Sequence, residues 1–279
     1  MEMRIITETQ LCEYEAWLRE AEKSDATMEK YLRDVRAFLG YMQSGAVEKT
    51  AVMAYKQQLI ERGYAVRSIN SMLASLNSFF RYLGWNDCTV RSIRTQRQTY
   101  CPEAKELSKE EYLRLVESAK ERPRLQLLLE TICGTGIRVS ELAYFTVEAV
   151  RQGEIAVTCK GKTRTILLPG KLRRRLLEYV HRAGIGSGPV FRTRSGRALN
   201  RSNIWAEMKQ LCRAAGVPKS KVFPHNLRKL VARTFYGIEK DIAKLADLLG
   251  HSNINTTRIY IMSTGVEHRR KIERLGLVI

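Results

Sequence analysis

The chain has 279 residues, of which 44% are hydrophobic, and its 48 Lys and Arg side chains outnumber 29 Asp and Glu, for a formal charge of +19. Two domains are expected at this length, and the charge predicts a polyanionic partner, either a nucleic acid or an anionic membrane surface. Because no apolar run approaches the roughly 18 residues of a membrane span and the N-terminus has no signal-peptide pattern, we expect a cytoplasmic protein that does not enter a membrane.

The N-terminal part, predicted as a first domain over residues 1–88, has a helical pattern. Between Glu8 and Trp85, apolar residues recur at three- and four-residue spacing in four successive segments, which predicts about four helices with an apolar core. Residues 1–100 contain 14 basic and 12 acidic side chains, whereas residues 101–279 contain 34 and 17. The polyanion is therefore expected to bind mainly to the second part of the chain.

Residues 89–106 interrupt this helical pattern and are predicted to be an interdomain linker. The segment is polar and basic, contains Pro102 and has no sustained apolar period. Its arginines Arg91, Arg94 and Arg97 suit a linker that contacts phosphates along a duplex. A solvated tether is the alternative interpretation.

The second domain, residues 107–279, is predicted to be mostly helical with one small antiparallel sheet, an α+β fold. Ser108 and Glu111 form the pattern of a capping box at its first helix. Residues 154–169 alternate apolar and polar side chains on either side of a Lys-Gly-Lys tip, which is typical of a β-hairpin. Helical segments are expected after the hairpin around residues 171–183, 203–215, 225–236, 241–249, 253–262 and 265–274.

Motifs for a nucleotide or a metal ion are missing from the sequence. The nearest match to a phosphate-binding loop, Gly161-Lys162-Thr163, lacks the required earlier glycine, and the acidic residues of the basic domain are spread out. The six cysteines show no close pair and are expected to be reduced. We therefore expect no cofactor and no metal. Phosphodiester chemistry would then need a nucleophile, phosphate-binding cations and a proton donor from side chains.

Five motifs in the second domain supply these groups in order. Arginine suits the phosphate-binding role because its planar guanidinium binds phosphate with two hydrogen bonds and stays charged. Lysine and histidine suit proton transfer. The motifs are GIRVSEL with Arg138, the hairpin tip from Lys160 to Lys162, PHNLR with His225 and Arg228, LLGHS with His251, and TTRIY with Tyr260.

With these motifs in this order, residues 108–262 resemble the tyrosine recombinase or phage integrase family, in particular its short, Xer-like members. The resemblance implies a two-domain, C-shaped DNA clamp made of a helical core-binding domain and a catalytic domain. It also implies cleavage and rejoining of specific recombination sites in double-stranded DNA, through a 3′-phosphotyrosine intermediate and a Holliday junction. The expected assembly is a homotetramer on DNA, with or without a related recombinase, in the nucleoid.

The resemblance assigns roles to individual residues. Tyr260 would be the nucleophile, and Arg138 and Arg228 would bind the scissile phosphate. Glu141 would orient Arg138 rather than act as a catalyst. In the family the C-terminal helix docks into a neighbouring protomer, and the apolar residues near the end of this chain allow such docking or packing within one chain.

Proton transfer is assigned to histidines and to a hairpin lysine. His225 and His251 would hydrogen-bond the phosphate oxygens, and His225 is the better candidate for accepting the tyrosine proton. The family usually has Lys-Gly-x-Lys-x-Arg at the hairpin, whereas this chain has the shorter KGKTR, so Lys160 is the preferred general acid and Lys162 the alternative. Lys229 stands where many members have another histidine.

Two other functions are considered. A helix-turn-helix regulator explains the charge and the two short helices predicted around LLGHSNINTTRIYI, but it has no need of Arg138, the hairpin lysine or PHNLR. A type IB topoisomerase shares the tyrosine chemistry but works as a monomer that relaxes DNA. Strand exchange between two specific sites by a tetramer separates a recombinase from a topoisomerase.

Overall fold

The computed structural model describes residues 4–43, 45–96, 106–159 and 162–277. The chain divides into two compact units, Met1–Arg97 and Gln98–Ile279. The finer predicted boundaries, with a linker over residues 89–106, stay a prediction, and residues 97–105 of that segment lie outside the described residues. In the described ranges, no helix is long and apolar enough to cross a membrane.

Four α-helices form the described part of the first unit, as the apolar spacing predicts. They are α1 (Glu8–Glu20), α2 (Asp25–Met42), α3 (Lys49–Glu61) and α4 (Val66–Tyr82), followed by a short 3₁₀ helix at Asn86–Cys88. α1 begins with a capping box, in which the Thr7 hydroxyl accepts a hydrogen bond from the Gln10 backbone N–H. The core of this unit contains the fully buried rings of Tyr14, Phe38, Phe79 and Phe80.

In the described ranges, the second unit begins with three α-helices and one short 3₁₀ helix. In chain order the elements are α5 (Lys109–Ser118), α6 (Pro123–Thr135), a 3₁₀ helix at Val139–Tyr144, and α7 (Val147–Gln152). The predicted capping box is confirmed, because Ser108 Oγ accepts from the Glu111 backbone N–H at 3.1 Å and the Glu111 carboxylate accepts from the Ser108 N–H at 2.8 Å. α6 is buried along most of its length, which places its C-terminal end inside the domain.

The predicted hairpin is confirmed as β1 (Glu154–Cys159) and β2 (Lys162–Leu167), an antiparallel two-stranded sheet. Its register pairs Glu154 with Leu167 at one end and Cys159 with Lys162 at the other. The pair of Val157 and Arg164 lies in the middle of the hairpin, where Val157 is buried.

The remaining elements are helical. They are α8 (Gly170–Arg182), α9 (Arg201–Gln210), α10 (Cys212–Ala215), a 3₁₀ helix at Lys219–Lys221, α11 (Pro224–Ile238), α12 (Ile242–Leu249), α13 (Ile254–Tyr260) and α14 (Gly265–Glu273). The main core of the unit lies around α6, whose Leu128, Leu129 and Ile132 are fully buried. A smaller apolar cluster joins Ala232, Leu245, Leu249 and Tyr260, so that α11, α12 and α13 pack on one another beside α6.

Candidate active site

The site is built where α6 ends. Gly136 closes this helix in the left-handed region, with φ +64°, and donates its N–H to Ile132 O at 2.8 Å. A Cβ at this position would lie 3.1 Å from Leu249 Cδ2 and 3.3 Å from Val231 Cγ1, so glycine also allows α11 and α12 to approach closely. The chain then enters the 3₁₀ helix, with Arg138 at its N-cap.

Arg138 is oriented by a buried carboxylate and by a backbone carbonyl. Its Nη1 donates to Glu141 Oε1 at 3.0 Å, its backbone N–H donates to Glu141 Oε2 at 2.7 Å, and its Nη2 donates to Gly250 O at 3.0 Å. Glu141 is 2% exposed, whereas the Arg138 side chain is 34% exposed. Glu141 and Gly250 O thus hold the guanidinium in place, while part of the Arg138 side chain remains exposed to solvent.

Arg228 is the largest fully buried side chain among the described residues. Its Nη1 donates to Gly136 O, its Nη2 donates to Leu249 O and lies 3.1 Å from His251 Nε2, and its Nε has no partner in the described part of the chain. Burial, followed by the charge of Arg138, lowers the pKa of Arg228 to about 10.

Both arginines bind the C-terminal end of α12. Arg228 reaches Leu249 O, and Arg138 reaches Gly250 O. The last carbonyls of a helix have no partner within that helix, and the helix dipole makes this end partly negative. Glu141 neutralises part of the charge of Arg138, whereas the hydrogen bonds of Arg228 go to neutral carbonyls and to His251. The two guanidiniums therefore leave a net positive site that is suited to an anion.

His251 continues this network. Because a guanidinium only donates hydrogen bonds, Nε2 accepts from Arg228, and Nδ1 carries the proton that is donated to Thr257 Oγ1 at 2.9 Å. Burial, followed by the charges of Arg228, Arg138 and Arg164, lowers the pKa of His251 to about 4. The imidazole is therefore neutral near pH 7.

Tyr260 ends α13 and is 8% exposed. Its hydroxyl lies 3.3 Å from His225 Nδ1, its ring centroid is 5.1 Å from that of His251, and Arg228 Cζ is 5.9 Å from the same centroid. His225 follows Pro224 in the first turn of α11. Burial, followed by the charge of Arg228, lowers the pKa of His225, so a neutral imidazole can accept the phenolic proton.

The structure brings six of the predicted site residues together, namely Arg138, Glu141, His225, Arg228, His251 and Tyr260. The preferred hairpin lysine, Lys160, lies outside the described residues, and of Lys162 only the backbone is described. Two further members of the site, Thr257 and Arg164, were not identified from the sequence. Arg164 is the last residue of the KGKTR motif, but the motif alone does not say what this strand residue contacts.

Comparisons with known proteins agree with this geometry. A model of the phage integrase family matches residues 105–265, which is more than half of the chain, and a model of the phage integrase N-terminal SAM-like domain matches residues 11–87. The chain belongs to the phage integrase family. It is a tyrosine recombinase, an enzyme that cleaves and rejoins DNA, and the family predicted from the ordered motifs is confirmed.

Curated relatives match this recombinase along nearly the whole chain. Tyrosine recombinase XerA of Pyrococcus furiosus is 29% identical over 276 residues, covering 95% of this chain and 93% of the relative. XerA of Thermococcus kodakarensis is 30% identical over 277 residues, covering 96% and 95%. Tyrosine recombinase XerD of Oceanobacillus iheyensis is 28% identical over 262 residues, covering 85% and 87%.

Solved structures share the fold. A lambda integrase dimer bound to a COC′ core site has a TM-score of 0.73 at 18% identity, covering 92% of this chain and 78% of that one. XerH recombinase bound to its difH substrate has a TM-score of 0.70 at 20% identity, covering 96% and 84%. The predicted fold class, mainly helical with a small antiparallel sheet, is confirmed.

Proposed function

We propose that this recombinase exchanges DNA strands between specific duplex sites through a covalent bond from Tyr260 Oη to phosphorus. The observation that carries the proposal is the Tyr260 hydroxyl, which lies 3.3 Å from a neutral His225 and beside the guanidinium of Arg228. A phenol next to a proton acceptor and a cation is arranged as a nucleophile for a phosphodiester. XerH and lambda integrase were solved on DNA, which supports duplex DNA as the substrate class.

In the first step, Tyr260 Oη attacks phosphorus in line and gives its proton to His225. Arg138 and Arg228 hydrogen-bond the non-bridging oxygens, whose negative charge grows in the transition state. The bond between phosphorus and the 5′ oxygen breaks, and this leaving oxygen takes a proton from the hairpin lysine. The products are a 3′-phosphotyrosine and a free 5′ hydroxyl, so the energy of the phosphodiester is kept.

His251 supports this step after a change of tautomer. In the structure its Nε2 accepts from Arg228 while Nδ1 donates to Thr257. A threonine hydroxyl both donates and accepts, so Thr257 can also donate to an unprotonated Nδ1. Nε2 then carries the proton and donates it to a phosphate oxygen, which is the role that the family resemblance assigns to this histidine.

Rejoining reverses the first step with a different hydroxyl. The free 5′ hydroxyl of a partner strand gives its proton to the hairpin lysine as its oxygen attacks phosphorus, the bond from phosphorus to Tyr260 Oη breaks, and His225 returns the proton to Tyr260. Exchange of one strand pair at a time produces a Holliday junction, and a lambda integrase tetramer has been solved on such a junction. We propose the same homotetrameric assembly for this chain, in the cytoplasm on nucleoid DNA.

The proposal is tested by covalent capture. Wild-type protein is incubated with a library of nicked duplexes. After cleavage, the short fragment that carries the free 5′ hydroxyl diffuses away, so that rejoining fails. Complexes that survive denaturation are isolated, their DNA is sequenced, and the modified peptide is identified by mass spectrometry. We expect one family of DNA sites and phosphorylated Tyr260. Attachment at another residue, or no covalent complex, would overturn the proposal.

The leaving group identifies the hairpin lysine. A 5′-thio leaving group needs no protonation, so loss of the general acid should slow cleavage of ordinary DNA far more than cleavage of the thio substrate. We expect this rescue for Lys160→Ala and not for Lys162→Ala. Single-turnover cleavage of both substrates by both variants measures the effect, and rescue of Lys162→Ala alone would transfer the role to Lys162.

The pH dependence of cleavage follows from the histidines. The pKa of His225 is lowered, so its neutral, proton-accepting form persists below the ordinary value of about 6.5. Cleavage should therefore stay constant as the pH falls from 8 to about 6.5 and decline only below that value. Single-turnover rates at constant ionic strength measure the profile. A half-maximal rate at a pH clearly above 6.5 would contradict the assignment of His225.

A further inference from the structure

A third guanidinium, that of Arg164, reaches the site from the hairpin. Arg164 occupies the middle of β2, opposite the buried Val157. Its Nη2 donates to Glu141 Oε2 at 2.8 Å, and its side chain is 18% exposed while Glu141 is 2% exposed. The same carboxylate binds the guanidinium of Arg138 through its other oxygen at 3.0 Å. Glu141 is therefore a buried bridge between two arginines.

Arg164 also fills the space beside Gly250. This glycine ends α12 in the left-handed region, with φ +62°. A Cβ built at Gly250 would overlap Arg164 Nη1 and would lie 2.8 Å from both Cδ and Cζ. The guanidinium thus lies where a side chain at position 250 would be, so that glycine is needed for its placement as well as for the backbone.

The contacts of Arg164 with Glu141 and with the turn at Gly250 both affect residues of the proposed mechanism. Glu141 and Gly250 O are the acceptors that orient Arg138. Gly250 is also followed directly by His251. Without Arg164, Glu141 loses one of its two cations, and the turn at Gly250 loses the side chain that covers it. Arg138 and His251 are then less restrained, although no hydrogen bond among the described residues joins either of them to Arg164.

The charge of Arg164 contributes at the same place. It is one of the positive charges that lower the pKa of His251, after burial and the charges of Arg228 and Arg138. Its Nε is buried and has no hydrogen-bond partner within the described residues. An arginine with one buried donor left unsatisfied is costly for folding, which favours a role at the site over a role in stability alone.

We propose that Arg164 is a positioning residue of the active site, which holds Glu141 and the Gly250 turn so that Arg138 and His251 face the scissile phosphate. The inference rests on the proposed function. Arg164 is thereby added to the site residues that were predicted from the sequence motifs. This strand residue affects cleavage through Glu141 and the end of α12.

The first test compares Arg164→Met, Arg164→Lys and a matched control. Arg124→Met removes another partly buried arginine of the same unit. Arg124 forms an ion pair of 2.7 Å with Glu207, and neither residue belongs to the site described above. For Arg164→Met we expect cleavage to slow about 10- to 100-fold, a range typical of residues that orient catalytic ligands, with DNA affinity unchanged. Arg164→Lys should recover part of the rate, and Arg124→Met should cleave like the wild type.

A change in the pKa of His251 separates positioning from stability. The wild-type pKa of about 4 lies below the acidic decline of cleavage that His225 controls, so the His251 ring is titrated directly by NMR. Removal of a positive charge should raise this pKa in Arg164→Met, whereas Arg124→Met should keep the wild-type value even if its melting temperature falls. Cleavage by Arg164→Met within twofold of the wild type, or an unchanged pKa of His251, would overturn the inference.

The second test uses Gly250 and a matched glycine. Gly250→Ala should displace Arg164 and reproduce the cleavage defect of Arg164→Met, and the double variant should be no slower than either single variant because the same contact is lost once. Gly216 closes α10 at a similar φ of +60° with nothing within 4 Å of its Cβ position, so Gly216→Ala carries the backbone strain alone. Additive effects of Gly250→Ala and Arg164→Met would overturn the inference.

The two proposals fail in different ways. A wild-type chain that forms no covalent complex would overturn the proposed function. A wild-type chain that forms the complex, while Arg164→Met forms it at the same rate, would overturn only the role of Arg164.

Discussion

Replacing Tyr260 by phenylalanine is expected to abolish the covalent protein–DNA complex and to leave DNA binding intact. The change removes the attacking oxygen, and the phenyl ring keeps its packing against the cluster of Ala232, Leu245 and Leu249. The hydroxyl lies 3.3 Å from His225 Nδ1, slightly beyond the normal range of hydrogen bonds, so little folding free energy is lost.

The Tyr260 experiment is a denaturing-gel assay on the nicked substrate, with affinity measured in parallel. Tyr236→Phe is the matched control, because Tyr236 packs against the same apolar cluster from α11 and should still form the complex. A covalent complex formed by Tyr260→Phe would mean that another side chain is the nucleophile, and the assignment of Tyr260 would be wrong.

Replacing Arg228 by lysine is expected to lower the cleavage rate on the order of 10²- to 10³-fold, as for other single donors that stabilise transition-state charge. Lysine keeps one positive charge but lacks the planar fork that contacts Gly136 O, Leu249 O and His251 together. DNA affinity should change little, because the many other basic side chains of the unit still attract the duplex.

The Arg228 variant should also acquire a new pH dependence. Burial and the neighbouring Arg138 lower even the arginine pKa to about 10. A lysine there should have a pKa below its ordinary value of about 10.4. Its charge, and with it the remaining activity, should then be present near neutral pH and lost as the pH rises, over a range in which wild-type Arg228 stays charged. Equal cleavage by Arg228→Lys and the wild type would contradict the assigned phosphate contact.

Local pattern accounts for the elements that were predicted correctly. The spacing of apolar residues is set by helix and strand geometry, so the four N-terminal helices, the hairpin and the Ser108 capping box were predictable. α6 ends at Thr135 because Gly136, rather than Gly134, takes the left-handed conformation that ends the helix.

The site was only partly predictable. Arg138, Arg228 and Tyr260 were identified because their motifs occur in the order of a known family. Burial of Arg228 was not, since arginine is rarely buried fully and its acceptors lie 92 and 21 residues away in sequence. Thr257 and Arg164 were not predictable because a threonine in a short helix and an arginine in a β-hairpin carry no local sign of function.

By itself, the sequence determined the helical and hairpin elements, the family and the identity of the candidate nucleophile, because these depend on local periodicity and on the order of motifs. Only the tertiary structure decided how the site is held. The C-terminal carbonyls of α12 bind two arginines, Glu141 bridges Arg138 and Arg164, and Arg228 sets the tautomer of His251. Apart from the local pair of Arg138 and Glu141, each of these contacts joins residues from separate elements. The packing of those elements, rather than the spacing along the chain, brings them together.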